Sequence, residues 1–401
     1  MRDLKDWRWH LKRYSSLFIL PFLFSTLNSS DEMISQNKKD ILNYSYQKAL
    51  EDSGKLKKDW INPITYQYIY NDGEEYTTQR SYISISQPIF KSGGIYSAIK
   101  YADSIEKYSK TSIDTQKKEI VKQIIDLTYQ INKLDITIKK QQLLIQNGKL
   151  DIDRKKEQVL SGLLDTSFLD NAILDSNIKQ NALIDLEYQK TTLINNLAKI
   201  SSKTYDKIDL PKLSLIDQDS FIEKNIYMKQ SKEDIDSSYW VSRMTTANYL
   251  PTVNLTANYT KYHDTDNKQG LSEDGTTNVG FNITIPLDIK YSNTIESSKI
   301  AYLQKKSTLE DTKIEQLNDY RSAIAKVDSL KEKIKIAQSD IELYDSLLVQ
   351  MIEQKNVGMK TDSDVQTMEN SKKIKSLDLI SLGFDEQLAL LDIYYRVQID
   401  E

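Results

Sequence analysis

A long stripe of apolar residues at alternating spacings of three and four marks the second half of the chain. This spacing is that of a heptad seam on one long helix. The seam comprises Tyr320, Ala323, Val327, Leu330, Ile334, Ala337, Ile341, Tyr344, Leu348 and Met351. A closely similar pattern lies 196 positions earlier, from Ile124 to Lys155. The sequence therefore predicts two long, related helices that arose from an internal repeat.

The apolar period shortens to two residues at four places, which indicates strands at about 64–71, 81–89, 252–262 and 277–287. Polar hydroxyl and amide side chains fill the alternate positions. The predicted apolar face comprises Tyr66, Tyr68, Tyr70, Ile83, Ile85, Val253, Leu255, Ala257, Val279, Phe281, Ile283 and Ile285. Strands of about ten residues with one apolar face are long enough to cross a membrane when they are tilted in a β-barrel. A β-sandwich with one face in water has the same pattern.

Each strand pair leads into a predicted helical hairpin, at about 95–200 and about 293–397. Gly162 and Gly358, again 196 positions apart, mark the two turns, where glycine favours a left-handed cap and the following Asp, Ser and Thr residues favour a new helix start. Further helices are expected at about 40–58 and 220–248. Helices of such length need partners along their whole seam, so they predict a bundle or tube.

The N-terminal segment has a basic stretch followed by a short apolar run that contains Pro21, which is typical of an export signal. An uncleaved amphipathic anchor is the alternative. We therefore expect a signal peptide at 1–29, a first repeat at 30–215 and a second repeat at 216–401.

Composition supports thin helices rather than a thick globular core, because 28% of the residues are charged and only 39% are hydrophobic. The chain has no cysteine and two histidines, which excludes disulfides and zinc–thiolate sites and leaves little for metal or imidazole chemistry. The net charge of −4 gives no reason to expect nucleic acid. No nucleophile, base and orienting group occur together, so neither an enzyme nor a cofactor is expected.

Several short motifs resemble those of the TolC family of outer-membrane channel proteins, in the family's order. They are Tyr249-Leu-Pro-Thr-Val-Asn-Leu255, Val279-Gly-Phe-Asn-Ile-Thr-Ile-Pro-Leu287, Gln87-Pro-Ile-Phe90 with Gly93-Gly94, and Val357-Gly358-Met359. The resemblance covers about residues 40–401. It implies a mainly helical fold with a small membrane β part, in which a homotrimer forms one 12-stranded barrel continued by a helical periplasmic tunnel.

The resemblance also implies a function and partners. The chain would be the outer-membrane channel of a tripartite export system in a Gram-negative bacterium, a passive conduit for drugs, dyes and detergents. Its partners would be outer-membrane lipid, a periplasmic adaptor and an inner-membrane RND or ABC pump. Type I protein secretion is an alternative function, and a coiled-coil scaffold without a channel is a rival from another class.

Two sites follow from Val357-Gly358-Met359, which resembles the family's motif at the periplasmic tip of the helical hairpin. Adaptor docking is expected at Gly162, Leu163, Val357, Gly358 and Met359; the alternative is that these turns serve only as helix caps. Asp364 falls at a position of the family's constriction ring and Lys360 at a position often occupied by a gating arginine, so these two are candidates for the periplasmic gate. Asp165 and Asp362 are further candidates, at a different spacing. For Asp364, a role limited to favouring the helix dipole in a solvated first turn is the alternative.

Overall fold

The chain is mainly helical and carries one small antiparallel sheet, as the sequence predicts. The computed structural model describes residues 32–74, 77–265 and 275–398, so the expected signal peptide lies outside the described residues. Its main elements, in chain order, are α1 (Gln36–Lys58), β1 (Thr65–Asp72), β2 (Thr77–Phe90), α2 (Gly94–Leu160), α3 (Thr166–Ala198), α4 (Gln218–Glu223), α5 (Ile226–Ala247), β3 (Thr252–Thr265), β4 (Thr276–Thr284), α6 (Tyr291–Asn356) and α7 (Asp362–Tyr394).

The two longest helices, α2 and α6, span most of the molecule's length. α2 has 67 residues and is therefore about 100 Å long. α3 folds back along α2, and α7 folds back along α6, which gives two helical hairpins. α5 packs between α2 and α6 on the side of the sheet, whereas α7 packs between them on the side of the hairpin turns. Among the described helices, none has a stretch long and apolar enough to cross a membrane.

The main apolar core lies about halfway along the helices. Its buried side chains come from the segment before α1, from α2, α6 and α7, from the end of α3 and from the loop that follows α3. Ile124 and Ile131 on α2 and Leu391 on α7 are almost completely buried there. On α6 the heptad seam is the protected face, since Tyr320, Val327 and Leu330 are buried. The heptad seam predicted from the sequence therefore forms the buried side of α6 in this core.

Three strand boundaries, the start of β2 and the ends of β3 and β4, differ by three residues or more from the expected ones. β2 begins at Thr77 rather than near residue 81, because its polar first residues still pair with the end of β1. A register shift between Gln79 and Arg80 then interrupts pairing with β3, which reaches Thr265. β4 ends at Thr284, two residues before Pro286, which has no N–H to donate to a neighbouring strand. Alternation alone therefore misjudged the ends of these strands.

The helix expected at about 220–248 is instead the two helices α4 and α5. Asn225 interrupts it, because its side-chain oxygen accepts hydrogen bonds from the N–H groups of Tyr227 (3.0 Å) and Met228 (3.2 Å) and so caps α5. The C-terminal segment pairs beside this break. Ile226 N donates to Arg396 O at 2.9 Å, and Gln398 N donates to Lys224 O at 2.7 Å. This short pairing, the C-terminal clasp, ties the end of α7 to the middle of the molecule.

Candidate functional sites on the hairpin tips and the sheet

The two hairpin turns have the same geometry. Gly162 has φ +73° and Gly358 has φ +79°, and both are left-handed. Leu163 N donates to Gln158 O, and Met359 N donates to Gln354 O, each at 2.9 Å. These are Schellman caps, which require a residue that tolerates positive φ. A Cβ at either glycine would meet no atom within 4 Å, so backbone conformation rather than space within the chain explains glycine at these positions.

Apolar side chains project from both turns into solvent. In a Schellman cap the apolar residue after the glycine commonly packs against its own helix. Here Leu163 is 79% exposed and Met359 75% exposed. Val357, directly before Gly358, is exposed as well. The structure thus brings the predicted docking residues to the ends of the two hairpins and leaves their apolar side chains uncovered.

The Asp364 carboxylate is fixed by a capping box at the start of α7. Its Oδ2 accepts from Thr361 N at 3.0 Å and from Thr361 Oγ1 at 2.9 Å, and Thr361 Oγ1 accepts from Asp364 N at 3.2 Å. Its Oδ1 lies 3.4 Å from Nη1 of Arg154 on α2. The hydrogen bonds from Thr361 lower the pKa of Asp364, and the charges of Lys360 and Arg154 lower it further. The side chain is therefore ionised at neutral pH and links the two hairpins.

The other gate candidates are not joined to Asp364. Asp362 is paired with Lys355 across the Gly358 turn. Asp165 caps α3, accepting from Ser167 N at 2.8 Å, and hydrogen bonding by Ser167 lowers the pKa of Asp165. Lys360 is exposed, and its charge lies close enough to Asp364 to affect that carboxyl's pKa. Only Asp364 of the three carboxylates has a described cationic partner on the other hairpin.

Arg154 is the tip residue that sequence reasoning missed. Besides Asp364, it binds Asp151 one turn earlier on α2, with Nη2 and Oδ1 2.5 Å apart. The capping box of Thr361 and Asp364 follows a recognisable sequence pattern, in which Thr is followed three residues later by an acidic residue. The partnership of Arg154 with Asp364 follows no such pattern, because it depends on how the two hairpins align.

The sheet has the order β1-β2-β3-β4, and its register brings all the predicted apolar positions within the strands onto one face. Tyr66 lies opposite Ile83, Ile83 opposite Tyr259, and Leu255 opposite Phe281. Ile285 is the exception, since it follows the end of β4. The apolar face is uncovered in the single chain; Tyr66 is 64% exposed and Phe281 73% exposed.

Polar side chains occupy the opposite face of the sheet and bond to one another or to the backbone. Thr65 pairs with Ser84, Thr256 Oγ1 donates to Gly280 O at 3.1 Å, and Asn278 Nδ2 donates to Asn258 Oδ1 at 3.2 Å. Each strand therefore presents one mainly apolar and one mainly polar side, as its two-residue period requires. Exceptions include Ile69 and Tyr82 on the polar face and Gln79, Ser81 and Gln87 on the apolar face.

Known proteins resemble the chain in sequence over one segment and in fold over most of its length. Residues 223–373 match the family model described as Outer membrane efflux protein. None of the curated proteins compared with the chain matches it significantly. Among solved structures, the Campylobacter jejuni CmeC outer membrane channel has a TM-score of 0.73 at 12% identity, covering 93% of this chain and 85% of its own.

Two further structures are similar over almost their whole length. The outer membrane protein VceC of Vibrio cholerae has a TM-score of 0.69 at 13% identity, covering 89% of this chain and 93% of its own. CusC has a TM-score of 0.72 at 13% identity, covering 92% and 91%. The resemblance drawn from the sequence motifs is thereby confirmed. Residues 223–373 are thus similar to the outer membrane efflux protein family, and the chain as a whole has the fold of the TolC-like outer-membrane channels.

Proposed function

We propose that this chain forms the outer-membrane channel of a tripartite export system and conducts small molecules such as drugs, dyes and detergents to the cell exterior. The observation that carries the proposal is the two-sided sheet. Its register gathers most of the apolar side chains on one exposed face and most of the hydroxyl and amide side chains on the other. Lipid on the first face and an aqueous lumen on the second would satisfy both.

The single chain cannot provide such a lumen, which supports a homotrimer. β1 and β4 are the edge strands of an open four-stranded sheet, and their outer edges are unpaired within the described residues. Within a lipid bilayer, the N–H and C=O groups at a sheet edge need hydrogen-bond partners from the protein, so a sheet that spans the membrane must close on itself. Three copies, with β4 of one pairing with β1 of the next, would give the 12 strands that the family resemblance implies.

The helices support the same ring. In the half of the molecule nearest the turns, α3 and α6 are the outer helices of the row formed by α3, α2, α7 and α6. Both carry exposed apolar side chains in this half. On α3 they include Leu174, Ile178, Ile184 and Tyr188, and on α6 they include Ile336, Leu343 and Val349. Contact between α6 of one copy and α3 of the next would cover both stripes and close a helical tunnel.

A periplasmic adaptor would dock at the tips and connect the channel to an inner-membrane RND or ABC pump. Support comes from the two Schellman turns, which offer Leu163, Val357 and Met359 to a partner at one end of the molecule. The sheet lies at the other end of the helices. With the sheet in the outer membrane, the tips would point into the periplasm.

The function is tested in a Gram-negative host that lacks its own channels of this family but has the chain's native pump and adaptor. Expression of the chain should lower accumulation of a fluorescent dye, and the purified protein should form trimers that conduct ions across planar bilayers. Monomers that neither insert into lipid vesicles nor conduct would overturn the proposal.

The double substitution Leu163→Ser and Met359→Ser should abolish adaptor binding and reduce dye export to the level of the empty vector. Serine keeps the helical caps but removes the two exposed apolar side chains, whose burial is worth about 2 kcal/mol each. Binding is measured by crosslinking or pull-down of the adaptor, and trimer formation by gel mobility without heating.

The matched control exchanges the two side chains, as Leu163→Met and Met359→Leu, and should retain export. Replacing Gly358 with valine should also abolish export, while trimers and membrane insertion survive. If the serine variant binds the adaptor normally, docking at the tips is wrong; if it fails to form trimers, these residues serve assembly instead.

A further inference from the structure

The apolar face of the sheet changes character along its strands. In the half nearer the helices its side chains are aliphatic or aromatic, among them Ile83, Ile85, Leu255, Val279 and Phe281. Toward the strand ends farthest from the helices, polar and tyrosine side chains occupy the same face. We call them the rim patch, which comprises Tyr66, Tyr68, Gln79, Ser81, Lys261 and His263. The apolar face therefore has a polar margin.

His263 belongs to the rim patch because β3 has a bulge there. Gln79 pairs with Asp264 but the next residue, Arg80, pairs with Tyr262, so His263 has no partner residue on β2. The extra residue of a bulge is left out of the ladder. The side chain of His263 is held instead by its neighbours on the apolar face. Its Nε2 lies 2.7 Å from Ser81 Oγ, and its ring centre lies 6.0 Å from that of Tyr68.

Hydrogen bonds join the side chains of three strands in the rim patch. Tyr66 OH on β1 lies 3.2 Å from Ser81 Oγ on β2, which in turn contacts His263 on β3. Tyr68 OH donates to Gln79 Oε1 at 2.9 Å. This network uses His263 Nε2 and the amide oxygen of Gln79. It leaves His263 Nδ1 and the Gln79 amide nitrogen, for which the described residues offer no hydrogen bond, available to a ligand.

Lys261 adds a positive charge to the rim patch. It lies opposite Ser81 and is the one lysine or arginine that the described strands place on the apolar face. Lys261 is exposed, and none of the described carboxylates forms an ion pair with it. The acidic residue Asp72 lies four positions beyond Tyr68, at the end of β1, where its Oδ1 accepts from Thr77 Oγ1 at 2.9 Å. The Lys261 ammonium is therefore available to an anion from outside the chain.

The rim patch lies at the level where a lipid headgroup is expected. Lys261 is four residues beyond Ala257, which corresponds to about 13 Å along the strand. With the sheet in the outer membrane and the hairpin tips in the periplasm, this margin faces the outer leaflet. Pairing of β4 of one copy with β1 of the next uses the edges of the sheet and leaves the rim patch uncovered. Tyrosine and lysine side chains suit the interface between acyl chains and water.

We propose that the rim patch binds the phosphorylated headgroup of a glycolipid in the outer leaflet. The Lys261 ammonium pairs with a phosphate, which lysine binds as a point charge. His263 Nδ1 bonds to the same phosphate, and the Gln79 amide nitrogen donates to a sugar hydroxyl. Charge complementarity and continuity with the apolar face favour this ligand over a protein partner, because the acyl chains of the same lipid would lie along Ile83 and Leu255. The inference rests on the proposed function, which places this face in lipid.

The test measures binding of a fluorescent diphosphorylated lipid A to purified full-length trimers in a neutral detergent. Fluorescence anisotropy reports the affinity. The double substitution Lys261→Gln and His263→Gln should weaken binding at least about tenfold, since it removes the charge and one hydrogen bond to the phosphate. The same lipid without its phosphates should bind the unaltered chain as weakly. Equal binding of both lipids, or unchanged binding in the double variant, would overturn the proposal.

Two competitors identify the source of the phosphate. Inorganic phosphate, at the concentration of lipid A that displaces half of the probe, should displace none of it, because it lacks the sugars and acyl chains. Phosphatidylglycerol should compete at least about tenfold less well than lipid A, because it offers one phosphate and no sugar. Displacement by inorganic phosphate at that concentration would instead indicate a site for free anions, and equal competition by phosphatidylglycerol would contradict the preference for a glycolipid.

The matched control is Arg80→Gln. Arg80 is next to Ser81 along β2 and lies opposite Ile69 and Tyr262, so it is at the same level of the sheet but on the polar face. Its loss should leave lipid A binding unchanged. An equal loss of binding in Arg80→Gln would attribute the affinity to the general charge of this margin and overturn the rim patch.

Conduction separates this proposal from the proposed function. The double variant of Lys261 and His263 should form trimers with normal gel mobility and conduct ions in planar bilayers as the unaltered chain does, since both side chains lie on the face away from the lumen. Trimers that conduct but do not bind lipid A would refute the rim patch alone. A chain that binds lipid A but does not conduct would refute the channel and leave the rim patch supported.

Discussion

Leu255→Arg should prevent stable insertion of the trimer into lipid. Leu255 is the fourth residue of β3, opposite Gln87 and Phe281 on the apolar face, and it is 45% exposed in the single chain. An arginine facing lipid near the bilayer midplane costs about 2–4 kcal/mol in a membrane barrel, and each trimer would carry three of them. We expect the loss of folded trimers in vesicles, measured by resistance to unfolding in guanidinium chloride.

Thr256→Arg is the matched control, because Thr256 is the next residue and lies on the polar face opposite Gly280. An arginine there would extend into the aqueous lumen and meet no neighbouring side chain on Gly280. Trimer stability should fall by less than about 1 kcal/mol, since the charge stays hydrated. Equal tolerance of arginine at both positions would contradict the assignment of the two faces.

Asp364→Asn should weaken the block of the channel by multivalent cations from the periplasmic side at least about tenfold, which corresponds to about 1.4 kcal/mol. In a trimer, three Asp364 carboxylates would surround one axis and attract cations to the narrow mouth. Asparagine retains an oxygen that can accept from Thr361, so the capping box survives while the charge is lost. The block and the preference for cations are measured on single trimers in planar bilayers.

The control for this prediction is Asp362→Asn. Asp362 is two residues away and has an 88% exposed side chain, but its carboxylate is paired with Lys355 of the same chain. Its removal should leave the cation block unchanged. Unchanged block in Asp364→Asn would remove Asp364 from the gate, and equal losses in both variants would point to the general charge of the tip.

The sequence predicted those parts of the fold that depend on local periodicity. The seam from Tyr320 to Met351 identified the protected face of α6, because a helix has to bury its apolar stripe against something. The two-residue period likewise identified which strand residues share a face. Both turns were found because the left-handed conformations at Gly162 and Gly358 favour a residue without a side chain.

Features that depend on alignment between distant segments could not be predicted. Arg154 meets Asp364, and Asn147 meets Asn370, only because α2 and α7 align in one particular register. The break at Asn225 was missed for a related reason, since the backbone pairing beside it comes from the distant C-terminal segment. That Asp364 forms a gate, and that the tips dock an adaptor, stay predictions.

The position of the C-terminal clasp has a practical use. It anchors the end of α7 beside Asn225, and the 33 residues of α7 place this point about 50 Å from the tips. The 22 residues of α5 place it about 33 Å from the sheet. A reporter fused directly after Gln398 would therefore start near the middle of the molecule, away from both the sheet and the hairpin turns, and so away from the surfaces on which the proposed lipid contact and adaptor docking depend.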